Sequence, residues 1–515
     1  MCARFLADRR LVFVPFVVAI ACVSACASDG GDPELSVIDA GLGDTSVGDA
    51  SAVEASAVDA SAVDASAVDA SAVDASAVDA SSVDASAVDA SVVDGGARGD
   101  ANVEDADIED VGTTPTSASC GVLPGPEAGE PTITVTVAQA ADLPSIVAGA
   151  AEGTTIFLEP GTYRMSGDES SRRIQVRTDG ITIRSSTGVR TDVIIDGEYQ
   201  TNEIFFIQAN DVTIADMTIQ RAVDHLIHAT GSSAGTIHRT MLHNLALYDA
   251  GEQFVKVNSD GANHYVDEGH LECSVLRMSE AGRSHIETQY GGGCYTGGID
   301  AHGARGWRVA LNVFDGIHCE NGALAEHAVH FWSGSRDTLV ERNEILNCAR
   351  GVGFGLVESG VERAYVDDPY PGVGYIGHYD GLIRNNLIYA TGTAEAYFDT
   401  GIELDQARGT AIYHNTVGTP ATFSSIDYRF SNTDVEIRNN LTTRITARDG
   451  ASGQVDHNLE SVSVALFRDA PNDFRLKPSA TSAIDQGVSL NEAGLDLDGR
   501  THDVRQPDLG AYEAD

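Results

Sequence analysis

The chain has 515 residues, with 32 Lys and Arg against 77 Asp and Glu and a formal charge of −45. So acidic a chain lacks the positive field that phosphate backbones require, which excludes nucleic acid as a partner. The charge is uneven: residues 27–130 hold 23 acids and one base, whereas residues 131–515 hold 53 acids and 28 bases. The part able to fold is therefore only moderately acidic.

Arg4, Arg9 and Arg10 precede an apolar run of 13 residues, Leu11 to Val23. That is too short to span a bilayer and fits the hydrophobic region of an export signal. The run ends in V-S-A-C, Val23 to Cys26, which resembles a bacterial lipobox. The resemblance implies removal of residues 1–26 up to an acylated Cys26. With Ala27 rather than Asp following, it also implies a lipid-anchored protein of the outer membrane and cell surface. An ordinary secretory cut near Ala25 or Ala27 is the alternative. From Ser51 to Gly95 run nine near-identical S-A-V-D-A pentads. One Val per pentad cannot build a core, and one acid per pentad repels its neighbours, so residues 27–130 read as an acidic linker.

Folding is expected from Pro131. Thr132–Val137 alternates as a strand, Asp142–Ala151 reads as a short helix capped by Asp142, and Thr155–Arg164 as two strands around a turn. Beyond these, no convincing amphipathic helix is expected for more than 300 residues. Short β segments punctuated by Gly, Asn and Asp follow instead. They align on Asn244, Asn312, Asn343, Asn385, Asn415, Asn439 and Asn458, with Ser274 in the one gap. An amide at a fixed corner can bond the backbone of the coils above and below, and Asn tolerates the left-handed conformation. Repeats of this length with a corner Asn resemble the right-handed parallel β-helix proteins, among them polysaccharide lyases and hydrolases. The fold class implied is all-β, a right-handed parallel β-helix over residues 131–470. A β-propeller, which needs antiparallel blades of about 40 residues, fits less well. Phe474–Gly487, Asp496–Arg500 and Asp508–Glu513 resemble the closing segment of such proteins, so residues 471–515 are expected to close the helix. Asp496 and Asp498 there could offer oxygens to Ca²⁺.

Period two places one set of side chains outward on the strand before each corner. Stacked in register, the first outward column is His228, Lys256, Asp300, His330, Glu403 and Asp427. The second is Thr230, Asn258, His302, Trp332, Asp405 and Arg429. G-H-Y-D at 377–380 is expected between Trp332 and Glu403, adding His378 and Asp380. A surface that stacks carboxylates, histidines, a lysine and a tryptophan has the contents of a site. Lys256, Arg277, Asp300, His302, His330, Glu403 and Asp405 are the catalytic candidates. Trp332, Asn258, Arg429, His378 and Asp380 are the substrate-binding candidates. The expected partner is a polysaccharide, because a β-helix offers a long shallow groove and an exposed indole covers a sugar face. Four long polar segments, 261–270, 280–298, 318–327 and 358–374, are expected to wall that groove.

Several chemistries fit. In the β-helix alginate and chondroitin-type lyases a lysine and an arginine act as base and acid. Glu252 to Lys256, Val275–Arg277 and Thr296–Ile299 match that pattern, although Asp300 stands where that family shows arginine. A hydrolase would use Asp300, Glu403 and Asp405; N-S-D-G at Asn258 and E-G-H at Glu268 approach polygalacturonase signals, but no R-x-K follows. Ca²⁺ is the one cofactor the lyase chemistry suggests, and no metal ligands are assigned. E-H-A-V-H, Glu326 to His330, carries two histidines three apart, a spacing not expected to converge on a strand. Non-catalytic glycan binding or surface display remains the other reading, and a monomer is expected. Of the cysteines left after the signal and Cys26, Cys273 with Cys294 and Cys319 with Cys348 are the disulfide candidates, leaving Cys120 free.

Overall fold

The computed structural model describes residues 120–165, 172–289, 294–321, 323–418 and 424–514. The export signal, Cys26 and the pentad repeat lie outside the described residues. Short strands of two to seven residues pair in parallel with the equivalent strand one coil away. They build three large sheets, of fourteen, ten and ten strands, each in the sequential order of a solenoid. The fold is a right-handed parallel β-helix. Its core is the stacked inward set, among them Ile227, Val255, Ile299, Val329, Val352, Ile402 and Ile426, all fully buried.

The corner ladder forms, with a shift of one residue at three positions. Asn312 Nδ2 donates to Asn343 Oδ1, Asn343 Nδ2 to Asn386 Oδ1, Asn386 Nδ2 to Asn415 Oδ1, and Asn415 Nδ2 to Asn440 Oδ1, at 2.9–3.0 Å. Each Oδ1 also accepts the backbone N–H of the preceding ladder residue. Asn244, Asn385 and Asn439, expected in the ladder, stand one residue earlier at φ 51–59°. The ladder passes through Leu245, Asn386 and Asn440 instead. The corner needs two residues, a left-handed one and then a ladder one, and Asn suits both.

At the N-terminal end, Asp142 precedes a helix over Leu143–Ala148 without capping it through its side chain, and Leu143 and Val147 are buried in the core. At the other end, the closing segment lies along the flank of the coils. Phe467, Phe474, Leu476, Leu509 and Tyr512 pack on Leu387, Tyr389 and Leu441. His502 Nε2 meets Asn385 Oδ1 at 2.9 Å, and Gly510 N–H donates to Asn439 O. The acids considered for Ca²⁺ there bond protein groups. Asp496 accepts the backbone N–H of Arg500 and Glu513, and Asp498 binds the Arg475 guanidinium.

Two expectations are corrected. Residues 280–298, read as a loop, begin with a helix over Glu280–Gln289. Its sequence is mostly polar, and it is held by a buried Arg283 that donates to Gly316 O and His318 O, so no apolar stripe announces it. Among the described residues the disulfides are Cys120–Cys273 and Cys294–Cys319, with Cα separations of 5.8 and 6.0 Å, and Cys348 is the free, buried thiol. The chain before the first coil runs back along the corner bearing Cys273, a contact across 153 residues that spacing does not reveal.

Candidate functional site

One ten-stranded sheet carries the polar face. Its central strands are His225–Thr230, Gln253–Asn258, Gly297–His302, His327–Trp332, Arg350–Phe354, Thr400–Asp405 and Ser424–Arg429. The pairing places His228 beside Lys256, Lys256 beside Asp300, Asp300 beside His330 and His302 beside Trp332. Farther on, Glu403 stands beside Asp427 and Asp405 beside Arg429. Between His330 and Glu403 lies Gly353, on a strand not anticipated. The residue in the outward column, Gly353, is a glycine, so no polar side chain marks the strand there.

His378, expected in that gap, belongs to another sheet, and Asp380 follows its strand His378–Tyr379. His378 is fully buried, stacked on Phe354 at 3.8 Å, with Nε2 2.9 Å from Thr338 Oγ1. Asp380 accepts the Tyr370 hydroxyl. Arg277 is also on a different sheet, where its Nε donates to Asp315 Oδ2 at 3.1 Å. None of these three joins the face.

The centre of the face is a closed triangle. Lys256 Nζ lies 2.5 Å from Asp300 Oδ2 and 3.1 Å from His302 Nε2, and that nitrogen lies 3.1 Å from the same carboxylate oxygen. Trp332 Nε1–H donates to Asp300 Oδ1 at 2.9 Å, and its indole stands 4.4 Å from the His302 ring. Asp300 is 1 % exposed. Burial alone would raise its pKa, but Lys256, His302 and His330 hold it well below the usual carboxylate range. Burial and the Lys256 ammonium push His302 down, so its imidazole is neutral at pH 7.

A second cluster adjoins the first. His330 Nδ1 lies 3.6 Å from Asp300 Oδ1 and 3.3 Å from Glu326 Oε2, and His327 Nδ1 lies 3.6 Å from that same Oε2. The remaining nitrogens are spoken for: His330 Nε2 meets Gly355 O and His327 Nε2 meets Glu403 Oε2, both at 3.0 Å. The E-H-A-V-H histidines thus converge, contrary to expectation. His327 is the first residue of its strand, beside the corner, and its ring turns over Gly353 rather than into the core. Burial opposes ionisation of Glu326, but the two imidazoles hold its pKa low. Burial lowers and Glu326 and Asp300 more than restore His330, whose pKa is raised.

Beyond this, Glu403 and Asp405 are pushed apart. Burial works against Glu403, but His327 and Arg350 keep it ionised, whereas burial and Glu403 itself push Asp405 well up. Asp427 is raised to about 6, mainly by burial, although Arg448 binds it at 3.0 Å. Arg429 binds Asp449 and covers the Phe430 ring at 4.3 Å. Toward the N-terminal side, His228 joins Glu203 to Asn258 Oδ1, the latter at 3.0 Å.

Loops meet both ends of these strands. The Cys294–Cys319 bridge ties the helix-bearing segment to the one leading into Glu326. At the opposite end, Arg363 donates to Gly303 O and Tyr365 to Gly334 O. Glu326, His327, Gly353 and Tyr295 were not among the sequence candidates for the site. Burial and the charges of Asp300, Glu326 and Glu252 raise the Tyr295 phenol. E-H-A-V-H was the one available signal; nothing marks Tyr295.

No protein-family model matches the chain, and no curated protein matches it. In fold it is similar to pectate lyase Pel9A, at 12 % identity over 75 % of this chain and 97 % of that one, with a TM-score of 0.44. It is also similar to GH136 lacto-N-biosidase from Eubacterium ramulus, at 11 % identity over 65 % and 68 % of the two chains, with a TM-score of 0.42. An alginate lyase from Paenibacillus sp. str. FPU-7 matches at 15 % identity over 64 % of this chain and 99 % of that one, with a TM-score of 0.31. The chain is a parallel β-solenoid with a distant likeness to β-helix polysaccharide lyases.

Proposed function

We propose that the polar face binds a polysaccharide and acts on it by acid–base chemistry centred on Lys256, Asp300 and His302. The observation that carries this reading is the closed triangle of those three groups beside a partly exposed Trp332. The indole offers a flat surface for a sugar ring, and coils about 4.8 Å apart repeat along the direction in which a chain would lie. Asp300 orients both the ammonium and the neutral imidazole, either of which can hold or pass a proton. In a lyase the neutral imidazole would take the proton beside a sugar carboxylate, and the ammonium would give one to the leaving oxygen. A hydrolase would instead draw on Glu403, held ionised, and Asp405, pushed toward its protonated form, environments that suit a base and an acid.

The test is a panel of acidic and neutral glycans, with and without Ca²⁺, read by absorbance of unsaturated products and by reducing ends. New double bonds lost in Lys256→Met support the lyase, and reducing ends alone support the hydrolase. Neither cleavage nor retention of any glycan would overturn the proposal. Binding without cleavage is the second reading, favoured by Lys256 being only 7 % exposed and already paired with Asp300.

We also propose that the chain is exported and lipid-anchored through Cys26 at the outer membrane. The signal-like start and two disulfides, which persist in oxidising compartments, support this. Mass spectrometry of the native N-terminal peptide should find a diacylglyceryl group on Cys26; an unmodified start elsewhere would overturn it.

A further inference from the structure

We propose that Glu326, His327 and His330 form a binding site for a transition-metal dication of the zinc type. Gly355 O can only accept a hydrogen bond, so His330 Nε2 carries a hydrogen. The Glu403 carboxylate likewise accepts from His327 Nε2. With both Nε2 atoms bonded outward, each ring turns its Nδ1 toward Glu326 Oε2. The two rings are 1 % exposed, and none of the three facing atoms makes a hydrogen bond. These three buried atoms are satisfied by a cation among them, either a proton carried by His330 or a metal ion that displaces it.

A metal of the zinc type matches the donors and their spacing. His330 Nδ1 and His327 Nδ1 lie 3.3 and 3.6 Å from Glu326 Oε2. Ligand atoms of a tetrahedral zinc, bound at about 2.0–2.1 Å, stand about 3.3 Å apart. Imidazole bonded outward to a carboxylate or a carbonyl is also the usual support of a metal-ligating histidine. Two nitrogens and one oxygen suit neither Ca²⁺ nor Mg²⁺, which require mostly oxygen ligands. Three protein ligands leave a fourth position open to water or a further ligand. The Glu326 side chain is 16 % exposed, although its Oε2 is buried. Among the described residues no other group of three His, Cys, Asp or Glu converges in this way.

This inference does not depend on glycan cleavage, and its test reads the metal alone. The full chain, freed of metal with a chelator and dialysed, is titrated calorimetrically with Zn²⁺ and separately with Ca²⁺. One Zn²⁺ per chain is expected, with no comparable Ca²⁺ binding. His327→Ala/His330→Ala, shown to be folded by circular dichroism, should bind Zn²⁺ at least about 100-fold more weakly. Glu403→Gln, which leaves the ligands in place, should weaken it about 10- to 100-fold. If the double variant fails to fold, X-ray absorption at the zinc edge of the wild type decides, and two imidazole ligands are expected. No Zn²⁺ uptake, unchanged uptake by the folded double variant, or a zinc shell without imidazole would each overturn the site.

Discussion

Gly353 and the imidazole of His327 occupy one space: a Cβ on Gly353 would stand 2.7 Å from ring atoms Cδ2 and Nε2. That gap lets the ring reach past the Gly353 coil to Glu403 on the next one, 3.0 Å away. Gly353→Ala should therefore displace the ring and destabilise the chain by about 1–3 kcal/mol, the range of an overpacked interior. The denaturant midpoint measures this. A variant as stable as the wild type would mean that the ring has another place to go.

The corner ladder predicts unequal costs for neighbouring asparagines. Asn343 accepts from the backbone and side chain of Asn312 and donates to Val309 O and Asn386 Oδ1, all buried. Asn343→Ala strands several of these groups and should cost on the order of 3 kcal/mol. Asn385 instead bonds Ala493 O and His502, both in the closing segment. Asn385→Ala should chiefly loosen residues 471–515, which limited proteolysis would show as early cleavage there at a smaller loss of global stability.

Those asparagines also mark where the sequence is legible. The amide repeat is visible because a solenoid demands the same corner in every coil, and period two then orders Lys256, Asp300, His302, His330 and Trp332 into columns that the pairing reproduces. Asn385-Asn386 and Asn439-Asn440 defeat the reading by one residue, since the same residue type suits both corner conformations. The coil at Arg350–Phe354 is invisible because its residue in the outward column is Gly353. His378 took its place in the expected column, although an imidazole can equally stack inside the core on Phe354. Contacts that join distant segments, such as Cys120 with Cys273 or Arg283 with His318 O, leave no local pattern.

Lys256 and Asp300 form a buried pair, and removing one partner leaves the other charged without compensation. Lys256→Met should destabilise the chain by about 3–5 kcal/mol. Adding Asp300→Asn should recover part of that loss, because the stranded charge is gone. Urea unfolding of the two variants measures both changes. A double variant less stable than Lys256→Met would show that Asp300 is held chiefly by Trp332 and the histidines.

Asp427 makes the pH dependence of stability testable in sign. Burial raises its pKa from the ordinary 3.8 to about 6 in the folded chain, with Arg448 resisting and Glu403 adding to the rise. Between about pH 4 and pH 6 the folded state therefore holds a proton that the unfolded chain has released, so stability falls as pH rises through that window. A shift of about two units sets the loss at no more than about 3 kcal/mol, complete above pH 7 and absent below pH 3. Asp427→Asn removes the titration but keeps a polar side chain beside Arg448. The difference in unfolding free energy, wild type minus Asp427→Asn, should decline from pH 4 to pH 6 and be level above pH 7. Asp405, also raised, responds in the same direction when its neighbour loses charge, which steepens the decline. A difference that grows with pH would mean that the Arg448 pair outweighs burial, and that Asp427 enters the folded chain as a stabilising carboxylate.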